Sequence, residues 1–192
     1  AYPDLQPRFV EEQTQHLITR LRNGNLDLAI MALPSEATGM VDSPLYTEKF
    51  SIVCPPDHPI AGREDVELAE LKDLDLLLLD DGHCLRDQVV DLCRHANINP
   101  AEATNSVTRA SSLTTIMQLV MGGLGCTLVP ESALATECHG KDVAIAHFAS
   151  DVTAEREVGL VFRSSAARAE EFREFGTLIT AAYNKAIERS RQ

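Results

Sequence analysis

Long apolar runs, surplus positive charge and paired CxxC motifs are all missing from this 192-residue chain. The longest strongly apolar run, Leu76 to Leu79, is far short of the roughly 20 residues that a bilayer-crossing helix needs. Seventeen Lys and Arg against 29 Asp and Glu leave a net charge of -12. A surface of that sign repels a phosphate backbone, so the chain by itself is not expected to bind nucleic acid. Its first residues, Ala1-Tyr2-Pro3-Asp4, have none of the pattern of a secretion signal. The five cysteines, Cys54, Cys84, Cys93, Cys126 and Cys138, are odd in number and scattered, whereas a secreted disulfide scaffold carries a dense, even set. A reducing cytoplasm is the expected setting, and a disulfide formed there is transient and functional. Ten Gly and nine Pro are ordinary numbers that exclude collagen-like and low-complexity chains.

What is present is an alternation of apolar runs and helical stripes. Leu17, Ile18 and Leu21 share one face of a helix over Thr14 to Arg22, which Gly24 ends. Leu26 to Ala32 reads as a strand buried on both sides, and Phe50 to Cys54 as another, closed by Pro55-Pro56. Leu76 to Leu79 is a third strand, leading into the turn Asp80-Asp81-Gly82. From Cys84 a helix carries Leu85, Val89, Leu92 and Ala96 as one stripe. Ser111 or Ser112 caps a helix bearing Leu113, Ile116, Met117 and Val120; Cys126 to Val129 follows as a strand and Pro130 breaks it. Val158 to Phe162 is the last strand, and a terminal helix turns Phe172, Phe175, Ile179, Tyr183 and Ile187 inward. The expected class is α/β with mainly parallel sheets, and the charge-rich stretch Ala61 to Glu70 is expected as a surface loop.

Chemistry concentrates in Asp80-Asp81-Gly82-His83-Cys84-Leu85-Arg86-Asp87-Gln88, with Cys93 five residues on. A cysteine at a strand-to-helix turn meets backbone N–H groups and the positive end of the helix dipole. With Arg86 these favour the thiolate that peroxide oxidation requires, while Asp80, Asp81 and Asp87 oppose it. Arg86 and His83 are also placed to donate to a leaving oxygen as an O–O bond breaks. In one continuous helix, nine residues advance about 13.5 Å and leave the two cysteines on opposite sides. A disulfide needs Cα atoms within about 7 Å, so joining Cys84 to Cys93 must unwind the helix. That geometry suits a redox switch better than a fast catalyst. The plainer use of each residue stands beside it: Cys84 and Cys93 as small packing residues, His83 as a cap, and Arg86 with Asp87 as a solvated pair.

The run Gly82-His83-Cys84-Leu85-Arg86-Asp87-Gln88 with Cys93 resembles the peroxide-sensing segment of LysR-type transcriptional regulators. Asn23-Gly24-Asn25-Leu26-Asp27-Leu28-Ala29-Ile30, Pro44 to Glu48, Asp57 to Ala61, Arg109-Ala110-Ser111-Ser112-Leu113, Gly123 to Pro130 and Val158 to Arg163 resemble other landmarks of that family, in its order. The resemblance implies an effector domain of two Rossmann-like α/β lobes similar to periplasmic binding proteins, linked by two crossover strands. Residues 1–47 plus 158–192 would form one lobe and 48–157 the other, which carries the redox cysteines. It implies Cys84 as the peroxide-reactive sulfur and Cys93 as its disulfide partner. Thr14, His83, Arg86 and Asp87 would surround the reactive sulfur, with Arg163 facing it from the hinge strand. Hydrogen peroxide, a second copy of the chain in a dimer or tetramer, and thiol reductants such as glutaredoxin or thioredoxin systems are the implied partners. DNA and RNA polymerase would be reached only through a longer protein. No cofactor, metal or membrane is implied, and no enzymatic role.

Several features depart from that pattern. The family's first effector strand and helix, with a further peroxide-contacting hydroxyl, and its winged helix-turn-helix belong upstream of Ala1. The stretch Arg94 to Thr108 is longer than in familiar members, and a histidine that some carry is replaced near Ser106 or Val107. Cys54, Cys126 and Cys138 read as passive packing residues; Cys138-His139 lacks further ligands at metal spacing. Two other classes remain open on the residues: a thiol peroxidase using the same cysteines, and a small-molecule-binding module in which the cysteines are incidental.

Overall fold

A computed structural model describes residues 6–99 and 104–190, with side chains from 104 to 109 and at 189 and 190 left aside. The elements are α1 (Thr14–Arg22), β1 (Leu28–Leu33), β2 (Met40–Cys54), the 3-10 turn η1 (Leu68–Asp73), β3 (Leu76–Leu79), α2 (Cys84–His95), β4 (Thr104–Ala110), α3 (Leu113–Met121), β5 (Thr127–Pro130), α4 (Glu131–Glu137), β6 (Ala144–His147), β7 (Glu155–Arg163) and α5 (Ala169–Ser190).

Successive residues of the core strands are buried against alternate faces because helices cover both faces of each sheet. In the first lobe, Val161 of β7 packs with Ile18 and Leu21 of α1, while its neighbours Leu160 and Phe162 pack with Phe172 of α5. In the second, Leu76 and Leu78 of β3 face the cluster under α2, and Leu77 and Leu79 face the cluster under α3. Likewise Ile52 and Cys54 of β2 point to the α2 side and Val53 to the α3 side. At about 0.8 kcal/mol per buried CH₂, these two-faced strands supply much of the hydrophobic drive of both lobes.

β2 and β7 run the length of the molecule, paired antiparallel from Met40↔Arg163 to Lys49↔Glu155 with an irregularity between Pro44 and Tyr46. β1 lies antiparallel to β7 in the first lobe; β5 and β6 lie antiparallel to β2 in the second. Among the described residues, parallel pairing is confined to β3 with β4 and to single bridges at Leu76↔Cys126 and Val66↔Phe148. The expectation of mainly parallel sheets is therefore corrected. Continuous apolar runs report burial on both faces, and here helices supply that cover to strands that the outgoing β2 and returning β7 force into opposition.

The stretch from Ala61 is more than a surface loop, since Val66 within it is fully buried and Arg63 clamps Glu70 by Nη1 at 2.7 Å. α4 begins directly at Pro130, which ends β5 and serves as the N-cap position of the next helix. Of the long stretch Arg94 to Thr108, residues 100–103 lie outside the described residues, as do the side chains of Ser106 and Val107. Among the described residues no helix is long and apolar enough to cross a membrane.

Candidate functional site

β3 delivers the chain from the core to a tight turn whose geometry Gly82 makes possible, with φ at +91°. His83 is the N-cap in extended conformation, and it makes no side-chain cap bond. Cys84 is the first helical residue and is half-buried, with a free thiol. α2 continues unbroken to His95 and places Cys93 in the core, fully buried and also free. Burial pushes the Cys93 thiol up from its ordinary value, partly offset by a backbone hydrogen bond. Over such a helix the two Cα atoms stand roughly 14 Å apart, twice the reach of a disulfide.

A second helix start meets this turn from the other lobe. Gln13 is the N-cap of α1, and its side-chain amide donates to Asp81 O at 3.5 Å. The same amide lies 3.1 Å from where a Cβ on Gly82 would stand. Thr14, the first residue of α1, is therefore carried to the rim of the turn that bears Cys84. Two helix N-termini, each worth about half a positive charge, converge on one spot between the lobes.

Arg86 folds back over the turn. Its Nη2 pairs with Asp81 Oδ1 at 2.9 Å, and its Nη1 lies 3.9 Å from Asp87 Oδ1. Its Nε is buried without a hydrogen-bond partner. So His83, Cys84, Arg86 and Asp87 share the first turn of α2, and Thr14 approaches from across the lobes.

Arg163 does not join them. Its Nη1 donates to the carbonyls of Leu21 and Leu26, the latter at 2.8 Å. Leu21 lies in the last turn of α1, about 10 Å of helix rise from Thr14, and Leu26 in the connection to β1. The reason is electrostatic: the negative end of the helix dipole attracts a cation, and Leu21 O accepts from Arg163 in addition to Gly24 N. The β7 arginine that reaches the α2 side is Arg156, seven residues earlier. Its Nη1 donates to Gln88 Oε1 at 3.2 Å, and Gln88 follows Cys84 by four residues on the same helical face. Arg156 is anchored from behind by Glu48, a buried carboxylate, through Nε at 2.7 Å and Nη2 at 2.6 Å. Sequence reasoning missed Arg156, Glu48 and a role for Gln88. The spacing of Gln88 from Cys84 was the available signal; nothing local marked a carboxylate within Tyr46 to Phe50 as buried.

A cleft of about 900 Å³ lies elsewhere, lined by Lys49, Ser51, Glu64, Cys138 and His147 among others, and no residue of α2 borders it. Among the described residues, no three His, Cys, Asp or Glu side chains gather as metal ligands.

Two lobes crossed by β2 and β7, with a half-buried cysteine at a helix start between them, define the effector-domain class of bacterial regulators. The chain belongs to the LysR substrate binding domain family, whose model matches residues 1–184. Within that family its relatives are OxyR proteins, the hydrogen peroxide-inducible activators. It is 48% identical over 177 residues to a probable hydrogen peroxide-inducible genes activator of Mycobacterium avium, covering 92% of this chain and 56% of the relative. Among solved structures, the H2O2-bound OxyR C206S mutant of Corynebacterium glutamicum matches with a TM-score of 0.94 and 59% identity over 97% of this chain and 58% of that one. The oxidized form of the same organism's OxyR matches with a TM-score of 0.86 and 59% identity, over 99% and 58% of the two chains. The chain spans a little over half the length of these relatives.

Proposed function

We propose that this chain is the hydrogen-peroxide-sensing region of a transcription regulator, in which Cys84 reacts and Cys93 traps the product. The Cys84 thiolate attacks one peroxide oxygen, the O–O bond breaks, and the leaving oxygen is protonated to water, giving a sulfenic acid. The Cys93 sulfur then displaces that hydroxyl as a second water, forming the disulfide. One peroxide is reduced to two waters, and two thiols are oxidised. Thr14, His83 and Arg86 surround the reacting oxygens as donors, and Asp87 helps hold Arg86. In this reading the β7 cation of the site is Arg156, reaching it by way of Gln88, and Arg163 keeps α1 in place.

The observation that carries the reading is one unbroken helix holding a half-buried Cys84 at its start and a fully buried Cys93 nine residues on. Bonding them costs the helix, so oxidation is stored as a second conformation. Residues 1–47 with 158–192, and 48–157, are the two lobes between which that change is read. We extend it to a rearranged dimer or tetramer acting on DNA and RNA polymerase through a longer protein, reset by thiol reductants of the glutaredoxin or thioredoxin kind.

The test is peptide mapping after one equivalent of peroxide. Trypsin cuts after Arg86, so a Cys84–Cys93 bond shows as two linked peptides. That linked pair is expected, with peroxide consumption stopping near one equivalent. Absence of both the bond and a Cys84 sulfenate overturns the reading, and sustained turnover with a thiol reductant replaces it by a peroxidase.

A further inference from the structure

Cys54 and Cys126 were read from the sequence as packing residues, but the topology sets them side by side. β2 and β5 pair antiparallel from Phe50↔Pro130 to Val53↔Thr127, and one step further in the same register stand Cys54 and Cys126. Directly opposed antiparallel residues have Cα atoms about 4.5–5.5 Å apart, within the range that a disulfide spans. Both thiols are free and fully buried, and both belong to the cluster beneath α2. Each senses its surroundings: burial pushes Cys126 up to about 12, with Cys54 adding to the rise, and burial raises Cys54 as well. Cys54 Sγ donates to Ala144 O at 3.7 Å, on the β6 side of β2, so a bond to Cys126 requires that sulfur to turn toward β5.

The helix that the proposed switch must dismantle packs in the same core cluster as this pair. Val89, Val90, Leu92 and Cys93 of α2 pack in the same cluster as Cys54 and Cys126. Drawing Cys93 out to meet Cys84 removes a fully buried side chain from that cluster and unwinds the turn that holds its neighbours there. Water and small oxidants then gain a route to two sulfurs that were sealed. Solvation relieves the burial that keeps them protonated, which is the condition for nucleophilic sulfur.

We propose that Cys54 and Cys126 form a second, gated oxidation site for hydroperoxides, closed while α2 is helical and opened by the Cys84–Cys93 bond. The inference rests on the sensor reading above. One sulfur takes an oxygen from a second peroxide molecule, releasing water and leaving a sulfenic acid. The opposing thiol displaces that hydroxyl as water, and a cross-strand disulfide remains. The second peroxide becomes two waters, and two more thiols are oxidised. The chain would thus distinguish a first equivalent of oxidant from a sustained excess.

Timed alkylation with iodoacetamide, read by peptide mass spectrometry, tests this on the chain as it stands. In the reduced chain Cys54 and Cys126 should stay unlabelled while Cys84 is labelled to completion. After one equivalent of peroxide their labelling should rise at least tenfold, and excess peroxide should yield a linked Cys54–Cys126 pair. Cys84→Ser, which cannot form the first bond, should show neither change under the same excess. If the Cys84–Cys93 bond forms while labelling stays flat and no linked pair appears, the gated site is overturned and the sensor reading stands. If Cys84→Ser yields the linked pair as fast as the parent chain, the gate is overturned. If the Cys84–Cys93 bond never forms, the sensor reading falls and takes the gate with it.

Discussion

Arg156 Nη1 donates to Gln88 Oε1 at 3.2 Å, tying the returning strand β7 to the helix that carries Cys84. Behind it Glu48, only 1% exposed, receives Arg156 Nε at 2.7 Å, and its other oxygen accepts from Ser132 N at 3.2 Å. One arginine therefore links β2, β7 and α2, and its ring-face contact with Phe50 at 5.9 Å keeps it flat against the core.

Removing Arg156 leaves a buried carboxylate without its cation. Arg156→Ala is expected to cost about 3–5 kcal/mol, the range for breaking one side of a buried pair. Removing both charges with apolar residues of similar volume, Glu48→Leu with Arg156→Met, should recover most of that loss. Urea denaturation of the two singles and the double forms the cycle. A double variant as unstable as the sum of its parts would show that the pair is not coupled.

Gly82 carries a second demand. Its φ of +91° lies where a Cβ is strained, and a side chain there would stand 3.1 Å from the Gln13 amide. Gly82→Ala should destabilise by about 1–2 kcal/mol from the backbone conformation alone. Gln13→Ala added to it should relieve the contact but leave the backbone cost. Thermal midpoints of the four forms separate the two contributions, and a Gly82→Ala chain as stable as the parent would refute the strain argument.

Much of this is legible in the sequence, and the exceptions share a cause. α1, α2 and α3 follow from apolar stripes; of the two cap candidates Ser111 and Ser112, it is Ser112 that accepts from Thr115 N, at 3.2 Å. The turn before Cys84 was signalled by Asp80-Asp81-Gly82. Strand direction was not legible, because Leu76 to Leu79 has the same apolar run whichever way its neighbours point. Nor was the Arg156–Glu48–Gln88 connection, whose members lie up to 108 residues apart and meet only once both lobes form. Arg163 is placed at the cysteine by the family resemblance alone. The carbonyls of Leu21 and Leu26 that bind it instead come together with it only in the folded lobe, which no local pattern carries.

Alkaline pH should weaken this fold from the inside. Burial raises Cys54, Cys93, Cys126 and Cys138 above the ordinary thiol value of about 9, with Cys126 pushed to about 12 and Cys138 to about 11. A raised acid binds its proton longer when folded, so above pH 9 the unfolded state holds fewer protons and stability falls as pH rises. The contribution is complete below about pH 9 and is lost progressively as pH climbs through the folded values. Under reducing conditions, the denaturation midpoint should hold between pH 7 and 8.5 and drop between 9.5 and 11. Cys126→Ala, less stable throughout, should drop less steeply over that interval. Equal slopes for the two would remove Cys126 from the account.

Oxidation should leave its mark on the backbone of α2 before anything larger moves. In the reduced chain, amides from Gln88 to His95 donate within an unbroken helix whose inner face is sealed by Val89, Leu92 and Cys93. Slow hydrogen exchange follows, because opening there must expose the cluster. Once Cys84 and Cys93 are bonded, their Cα atoms must come within about 7 Å, and a regular helix cannot meet that for residues nine positions apart. Exchange over Gln88 to Arg94 should then accelerate at least tenfold, while β2 and β7, joined by nine residue pairs in a separate network, keep their protection. Reduction with dithiothreitol should restore the slow pattern. A chain that carries the bond by mass and still exchanges slowly along α2 would mean that the helix accommodates the disulfide, and a conformational switch would have no physical basis in this segment.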